Sequence, residues 1–186
     1  MPSFFCVTAK SMTNQAIILP FQGVYPQIDP TAYIAPGVTI IGDVVVGPES
    51  SIWPACALRG DLAPIRIGAK CNIQDGTIIH VTHEIQGGAG THLGDNVTIG
   101  HMALLHDCDV GDGGFIGMRA TMLDRSIVEA GGMLAAGALL TQRKVVKTGE
   151  IWAGNPAKYW RDIKPEEARA FLARADEYAA LAKKYM

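Results

Sequence analysis

The chain has 186 residues and a formal net charge of −2, so one domain with a substantial core is expected. Its 16 basic and 18 acidic residues are spread along the sequence, which argues against nucleic acid or a membrane as a partner. The four cysteines form no C-x-x-C motif, and the N-terminus has no secretory signal pattern. A cytoplasmic protein with reduced thiols is therefore expected.

The N-terminal part of the chain precedes any repeat. Residues 1–15 are expected to form an extension, and Pro20–Pro30 an extended lead-in that caps the first coil. From Ile34 an aliphatic residue recurs every six positions, a period that fits neither an isolated helix nor a simple alternating strand. The leading residues of these hexads are Ile34, Ile40, Val46, Ile52, Leu58, Ile67, Ile73, Ile79, Leu93, Ile99, Leu105, Val110, Ile116, Met122, Val128, Leu134, Leu140, Val146 and Trp152.

The six-residue period predicts an all-β fold, a left-handed parallel β-helix over residues 16–156. In this fold three hexads make one triangular coil, and each leading aliphatic side chain points inward. The nineteen hexads would make about six coils. The left-handed sense is taken from the hexapeptide class, which is an exception to the right-handed rule for parallel crossovers.

Three segments interrupt or end the repeat. Residues 64–66 are an insertion, and the glycine-rich residues 85–92 are expected to leave the wall of the prism as a loop. Residues 157–186 are expected to form a C-terminal segment with an amphipathic helix that begins near Pro165. The predicted apolar face of that helix consists of Ala168, Phe171, Leu172, Ala175, Tyr178, Ala182 and Tyr185.

Stacking of the coils brings distant histidines together. His80 and His106 each follow a hexad leader on the same face. They are one coil apart in the repeat if residues 85–92 are counted as a loop. We therefore expect them to lie about 4.8 Å apart. Asp75 and His101 stack in the same way on the adjacent face. His101 therefore lies around a corner from the other two histidines, and two chains packed side by side can aim all three at one point. A ring of three such contacts closes on itself, which predicts a homotrimer with three shared sites.

Three neutral imidazoles with an open fourth position are typical of a catalytic zinc site. We therefore predict a metal ion held by His80, His101 and His106. Such ligands need polar neighbours that fix their orientation, and the candidates on or next to the two stacks are Arg59, Asp61, Gln74 and Asp75. Arg59 and Asp61 could instead pair across the subunit interface as a structural salt bridge. His83 and His92 are expected to be ordinary surface histidines, although His83 and Glu84 border the site.

Several motifs occur in order along the chain and are together specific. They are R-G-D at residues 59–61, N-I-Q-D-G at 72–76, H-V-T-H at 80–83, G-H-x-A-x-L-H at 100–106, I-G-M at 116–118 and W-A-G-N-P-A at 152–157. With them the chain resembles the gamma-class carbonic anhydrases and their close bacterial homologues over about residues 20–180. The resemblance implies a left-handed β-helix, a homotrimer and a metal ion on the three histidines, with Zn2+ as the usual metal and Fe2+ or Co2+ as alternatives.

The resemblance also implies a reaction, the reversible hydration of carbon dioxide to bicarbonate by metal-bound hydroxide. Gln74 would orient the hydroxide, while Arg59, Asp61 and Asp75 would order the subunit interface and its hydrogen bonds. Tyr159 falls where many bacterial relatives place a tyrosine near the metal. It could equally pack between the prism and the C-terminal helix.

The proton-transfer groups of the archetypal family member are missing from this sequence. Leu62 stands where that member has a glutamate after the R-G-D motif, and residues 85–92 contain no acidic side chain. His83 and Glu84 are the nearby substitutes. Weak hydration activity is therefore expected, since proton transfer commonly contributes roughly 10²–10⁴-fold.

Two other functions stay open. Hexapeptide β-helices also host acyl transfer from an acyl-coenzyme A with one histidine as general base, and a metal-binding trimer can act as a non-catalytic scaffold. Three histidines in metal register favour the carbonic anhydrase hypothesis. The ligands would then be carbon dioxide and bicarbonate, with neither nucleic acid nor a membrane as a partner.

Overall fold

The computed structural model describes residues 15–186, apart from the side chain of Glu84. The predicted extension 1–15 therefore lies outside the described residues, except for its last residue.

The described chain repeats one unit, a short strand followed by a corner. Its strands are β1 (Ile17–Leu19), β2 (Gln27–Ile28), β3 (Tyr33–Ile34), β4 (Thr39–Val46), β5 (Ser51–Ile52), β6 (Ala57–Ile67), β7 (Asn72–Ile73), β8 (Ile78–His80), β9 (Thr91–Leu93), β10 (Thr98–Ile99), β11 (Leu104–His106), β12 (Asp109–Val110), β13 (Phe115–Ile116), β14 (Thr121–Met122), β15 (Ile127–Val128), β16 (Met133–Leu134), β17 (Leu139–Leu140), β18 (Val145–Val146), β19 (Glu150–Ala153) and β20 (Lys158–Asp162). A 3₁₀ turn (Glu84–Gln86) and one α-helix, α1 (Pro165–Ala182), complete the fold.

Strands of successive coils pair in parallel and build three faces. The first face contains β1, β8, β11, β14, β17 and the N-terminal halves of β4 and β6. The second face contains β2, β9, β12, β15, β18 and the C-terminal halves of β4 and β6. The third face contains β3, β5, β7, β10, β13, β16 and β19. This is the predicted left-handed parallel β-helix of hexapeptide repeats.

Each face is seven strands deep, because two further strands join the nineteen predicted hexads and complete a seventh coil. The additional coil is the first one, because β1 and β2 pair in parallel with β4 instead of forming only an extended lead-in. The inward residues of this coil, Ile18 and Ile28, are ten positions apart rather than six. That spacing hid the coil from a search for hexads. Ile18 is 43% exposed, since it lies at the open end of the stack.

The interior is filled by the predicted hexad leaders. All of them are buried except Ile34 and Trp152, which lie on the first and last coils. Full burial of one such aliphatic side chain contributes about 1.5–3 kcal/mol relative to exposure. The stacked leaders therefore explain why strands of two or three residues are stable here.

Three cysteines line the interior at corners of the coil. Burial raises the pKa of the Cys56 thiol to about 11 and that of Cys71 to about 12, and it also raises the pKa of Cys108. These thiols are protonated near neutral pH and are free of disulfides. They belong to the core rather than to a reactive site.

Between β8 and β9 the chain leaves the wall of the prism in a segment that we call the excursion (residues 81–90). It begins at the buried Val81 and returns at Gly90. Asp107 fixes its end, because the Oδ1 atom accepts the backbone N–H groups of Ala89 and Gly90, each at 2.9 Å. The predicted loop 85–92 was too long at its C-terminal end, since residues 91 and 92 already belong to β9.

The C-terminal segment contains a hairpin that was not predicted. Strand β20 pairs antiparallel with β19, and α1 then packs over the third face against β5, β7 and β10. Arg161 on β20 fixes the start of α1 through two 2.7 Å contacts with Glu167. Tyr178 packs edge-on against Trp53, with ring centroids 5.5 Å apart.

The apolar face of α1 is only partly as predicted. Ala175 and Ala182 are buried and Tyr178 packs inward, together with the unpredicted Ala179. By contrast, Ala168 and Leu172 are exposed in the single chain. Tyr185 follows the end of α1 and is 63% exposed, although its ring packs against Tyr33 and Trp53, with centroids 5.7 and 5.5 Å apart. Within residues 15–186, no helix combines the length and apolar character that a membrane crossing requires.

Candidate metal centre

Two histidines lie side by side at the end of the first face. His80 ends β8 and His106 ends β11, and the two residues are direct partners in the parallel ladder. Their ring centroids are 5.3 Å apart. The stack predicted from hexad counting is therefore present, and it aims two imidazoles outward at one place.

A carboxylate holds one ring nitrogen of each of these histidines. The Nε2 atom of His80 lies 3.1 Å from Oδ1 of Asp61, and Nδ1 of His106 lies 2.7 Å from Oδ1 of Asp124. If each of these nitrogens donates its proton to the carboxylate, Nδ1 of His80 and Nε2 of His106 keep a free lone pair. This is the arrangement by which outer carboxylates fix metal-binding imidazoles.

The pKa values around this pair favour a neutral His80 imidazole beside ionised carboxylates. Burial lowers the pKa of His80, against the opposing effect of Asp61. Burial alone would raise the pKa of Asp61 and of Asp124, but hydrogen bonds outweigh it and leave both values below the ordinary range. For Asp61 those bonds come from Arg59 and His80, and for Asp124 from His106 and Thr82.

Arg59 forms a salt bridge with Asp61 of the same chain. Its side chain is 49% exposed, whereas that of Asp61 is only 11% exposed. The same carboxylate thus contacts both Arg59 and His80. A salt bridge between these residues across a subunit interface stays a prediction.

The surroundings of the histidine pair are apolar. A cavity of about 270 Å³ is lined by the outward side chains of the first face, with His80 and His106 in its wall. Ile41, Ile78 and Leu104 supply much of the apolar surface. We call Arg59, Asp61, His80, His106 and Asp124, together with this cavity, the first half-site.

His101 lies on the corner between the third and first faces, directly after β10. Its Nδ1 atom is 2.9 Å from Oδ2 of Asp75, the residue one coil earlier. Gly100 allows this corner to pack closely, because a Cβ atom there would lie 2.6 Å from the backbone nitrogen of Met118. The predicted stack of Asp75 and His101 is therefore present.

Gln74 belongs to the neighbourhood of His101. It is 5% exposed, and its Nε2 atom donates to Oδ1 of Asn72 at 3.0 Å, while Nδ2 of Asn72 donates to Oγ1 of Thr98 at 2.8 Å. Gln74 and His101 share the wall of a cavity of about 340 Å³ that Tyr178 of α1 partly covers. We call Gln74, Asp75 and His101 the second half-site.

One chain thus carries two half-sites on the two edges of its first face. Among residues 15–186, no three histidine, cysteine, aspartate or glutamate side chains converge closely enough to hold a metal ion. This agrees with the corner that separates His101 from His80 and His106. The donor set nevertheless fits a metal, because each of the three imidazoles has one nitrogen beside a carboxylate and the other one free.

The remaining candidates lie elsewhere or are less well defined. Tyr159 is on the hairpin strand β20, where its hydroxyl donates to Oδ1 of Asp162 at 3.0 Å, and this bond raises the pKa of the phenol. His83 lies in the excursion, and its Nδ1 atom accepts the backbone N–H of Ile85 at 3.1 Å. Glu84 lies in the 3₁₀ turn, but its side chain is outside the described part. His92 is on the second face, 2.8 Å from Asp109.

Asp124 is the residue of the first half-site that the sequence analysis missed. It lies 18 residues after His106, but the coil is 17 residues long here, because Leu105 pairs with Met122. The position in register with His106 is therefore Leu123. Asp124 is one residue further along the chain, and hexad counting does not predict its contact with His106.

Fold and half-sites together define a hexapeptide-repeat β-helix protein with paired histidines on one face. Over 160 residues the chain is 46% identical to gamma carbonic anhydrase 1, a mitochondrial protein of Arabidopsis thaliana, a match that covers 85% of this chain and 58% of that protein. It is 37% identical over 169 residues to the carbonic anhydrase of Geobacillus kaustophilus, with 91% of each chain covered. The crystal structure of a hexapeptide transferase family protein from Anaplasma phagocytophilum is 45% identical, with a TM-score of 0.87, and the match covers 91% of this chain and 98% of that chain.

No family model matched the sequence. The sequence identity to these relatives is sufficient to assign the family. The chain belongs to the gamma carbonic anhydrase family. It spans 58% of the length of the plant relative.

Proposed function

We propose that this protein is a metal-dependent carbonic anhydrase of the gamma class, assembled as a homotrimer with one site at each subunit interface. The observation that carries the proposal is the division of three carboxylate-held histidines between two edges of one face. A site completed by a neighbouring subunit explains why neither edge is complete alone.

In the proposed assembly, His80 and His106 of one subunit and His101 of the next hold the metal. A Zn2+ ion, or Fe2+ or Co2+ in its place, supplies a hydroxide nucleophile at neutral pH because it lowers the pKa of bound water. The three aspartates keep the imidazole rings oriented, so that little reorganisation is needed when the metal binds.

The residues around the pair suit the two forms of the substrate. The apolar side chains of Ile41, Ile78 and Leu104 provide a surface for carbon dioxide, which is uncharged. Arg59, half exposed beside Asp61, provides a positive charge for bicarbonate. Gln74 lies with His101 and so reaches the site from the neighbouring subunit, where its amide would orient the nucleophile.

Proton release is the step for which this chain offers the fewest groups. Leu62 lines the opening beside Asp61, where a carboxylate would be needed, and the excursion contributes His83 and Glu84. We expect turnover to be limited by proton transfer. A small imidazole buffer, which accepts protons directly, should then raise the hydration rate in proportion to its concentration until another step becomes limiting.

Acyl transfer is the second candidate, favoured by one observation. The structure from Anaplasma phagocytophilum that superimposes on this chain is described as a hexapeptide transferase family protein. An acyltransferase would bind an acyl-coenzyme A at the interface and need no metal. Calorimetric titration with acetyl-coenzyme A, in the presence of a chelator, separates this function from carbon dioxide hydration.

The proposed site can be tested by mixing two inactive variants. His101→Ala and His106→Ala homotrimers should each bind almost no metal and show no stopped-flow carbon dioxide hydration. When the two are unfolded, mixed in equal amounts and reassembled, each mixed trimer regains one intact interface. About a quarter of all sites should then recover, as random assembly of a ring of three requires.

Recovery of metal and activity together would support a shared catalytic site. Metal recovery without hydration would contradict the carbonic anhydrase proposal and favour the scaffold alternative. Absence of recovery from the mixture, with wild-type protein reassembling normally in parallel, would contradict the sharing of the site between subunits.

A further inference from the structure

A cavity of about 200 Å³ lies at the corner between the first and second faces, against the excursion. Thr82, Gln86 and Gly87 form one side, and Gln142 of the last coil forms the opposite side. Arg125 and Arg143 also line it. Neither half-site uses these two arginines.

Arg125 and Arg143 occupy the same corner position in successive coils. They are 18 residues apart, and both have a left-handed backbone, with φ of 58° and 61°. Coils are stacked about 4.8 Å apart, so two guanidinium groups of like charge border the same small space. Each guanidinium carries five N–H donors.

The carboxylates in the same cavity wall have other partners. Asp124 accepts from His106 and from Oγ1 of Thr82, at 2.7 and 2.9 Å. Asp107 accepts two backbone N–H groups of the excursion. Among the described residues, no carboxylate forms an ion pair with either Arg125 or Arg143.

Gly87 leaves room for one of the two guanidinium groups. A Cβ atom at this position would lie 3.2 Å from Nη2 of Arg125, so a larger residue would press on it. The excursion therefore approaches Arg125 closely from above, while Arg143 lies one coil below. The two arginines therefore border the space between the loop and the last coil, whose lining also includes Asp107 and Asp124 with their own partners and the polar side chains of Thr82, Gln86 and Gln142.

We propose that this corner binds a small oxyanion, with Arg125 and Arg143 as its two charged contacts. Guanidinium groups bind planar or tetrahedral oxyanions through paired N–H donors, and a bound anion would offset the repulsion between the two arginines. Bicarbonate and inorganic phosphate share this chemistry. The site is separate from the proposed metal centre, although Asp124 lies between them.

Calorimetric titration of the full-length, metal-loaded protein at low ionic strength tests the proposal, with bicarbonate and phosphate as separate probes. Arg125→Gln and Arg143→Gln should each weaken binding of the anion about tenfold or more. Arg143→Lys keeps the charge without the paired donors and should have an intermediate effect. Arg169→Gln is the matched control, because it removes the same charge from the exposed surface of α1 and should leave the affinity unchanged.

Circular dichroism of each variant verifies that the coil is intact. The His101→Ala variant, titrated in parallel, should keep the anion affinity, so that failure of the metal proposal is distinguishable from failure of this one. Bicarbonate binding without phosphate binding would support a site for the product of the proposed reaction, and binding of both would support a general oxyanion site. Absence of saturable binding, or affinities that the arginine substitutions leave unchanged, would overturn the proposal.

Discussion

The first and second faces of the coil each carry a histidine beside an aspartate of the next coil. His106 lies 2.7 Å from Asp124 and His92 lies 2.8 Å from Asp109. Because residues one coil apart are stacked neighbours, a pair of this kind arises where an aspartate lies in register with a histidine, as for His92, or one residue beyond it, as for His106. The contact alone therefore does not define a site.

The surroundings distinguish the two pairs. His106 has a second histidine, His80, as its ladder partner and borders an apolar cavity. His92 instead has Arg66 and Asp109 as its ladder partners and is 45% exposed. The proposed metal site uses two stacked imidazoles with free nitrogens and shelter from water. Within the described part of the chain, the first face supplies both and the second face does not.

Substitution of the histidines should give the largest difference between the faces. His106→Ala should reduce metal content from about one ion per chain to nearly none, because two ligands seldom hold a catalytic metal. His92→Ala should leave it unchanged. Metal analysis of the purified variants is the measurement, and equal losses in both would show that the faces do not differ as described.

Assembly should depend on the outer side chains of the first face alone. Ile78 is 45% exposed on that face, and Ile78→Lys would place a charge in the proposed interface, where burial is costly. We expect monomers in sedimentation experiments. Ile127→Lys makes the same change on the outer side of the second face and should leave the trimer intact.

The two aspartates allow a finer test of the same contrast. Asp124→Asn should weaken metal binding roughly 10–100-fold, because the ring of His106 loses the carboxylate that orients it. Asp109→Asn should have no effect on metal affinity. Competition with a chromogenic chelator measures both, and a neutral result for Asp124 would remove it from the site.

The smallest effect is expected for the ion pairs at the edge of the second face. Lys147 donates to Glu129, and mainly this hydrogen bond lowers the pKa of Glu129. A lowered pKa contributes stability that is present above the ordinary glutamate pKa and lost as the pH falls through the folded value. Both side chains are solvated, so Glu129→Gln should leave the thermal midpoint at pH 7 nearly unchanged and slightly reduce its fall in acid. A large change at pH 7 would contradict this description of the second face.

Most of the fold could be predicted from the six-residue period of aliphatic residues in the sequence. Hexad counting located the coils from residue 34 onward, the stack of His80 on His106 and the stack of Asp75 and His101. Counting one coil further leads from His106 to Leu123, so the contact with Asp124, one residue later, does not follow from the register. The division of the site between two edges followed from the same register.

The parts of the fold that hexad counting did not predict depend on contacts that do not follow the six-residue period. The first coil was hidden by the ten-residue spacing between Ile18 and Ile28, and β20 pairs through a hairpin rather than through the repeat. For α1, the sequence predicts the direction of the apolar stripe but not how much of it the third face covers. Leu172 is therefore on the predicted stripe and yet exposed. The cavity between Arg125 and Arg143 depends on where the excursion lies, which hexads do not determine.

The excursion has a consequence for how such proteins can diverge. Its two ends are fixed by neighbouring coils, with His80 in β8 and Thr91 in β9, so residues between them can be added or removed without shifting any strand. The entropic cost of a longer loop grows only slowly with its length. The side chains of this loop can thus be exchanged while His80 and His106 stay in place. In the proposed carbonic anhydrase, the rate of proton transfer could then change through the length and acidity of this one segment, independently of the proposed metal site.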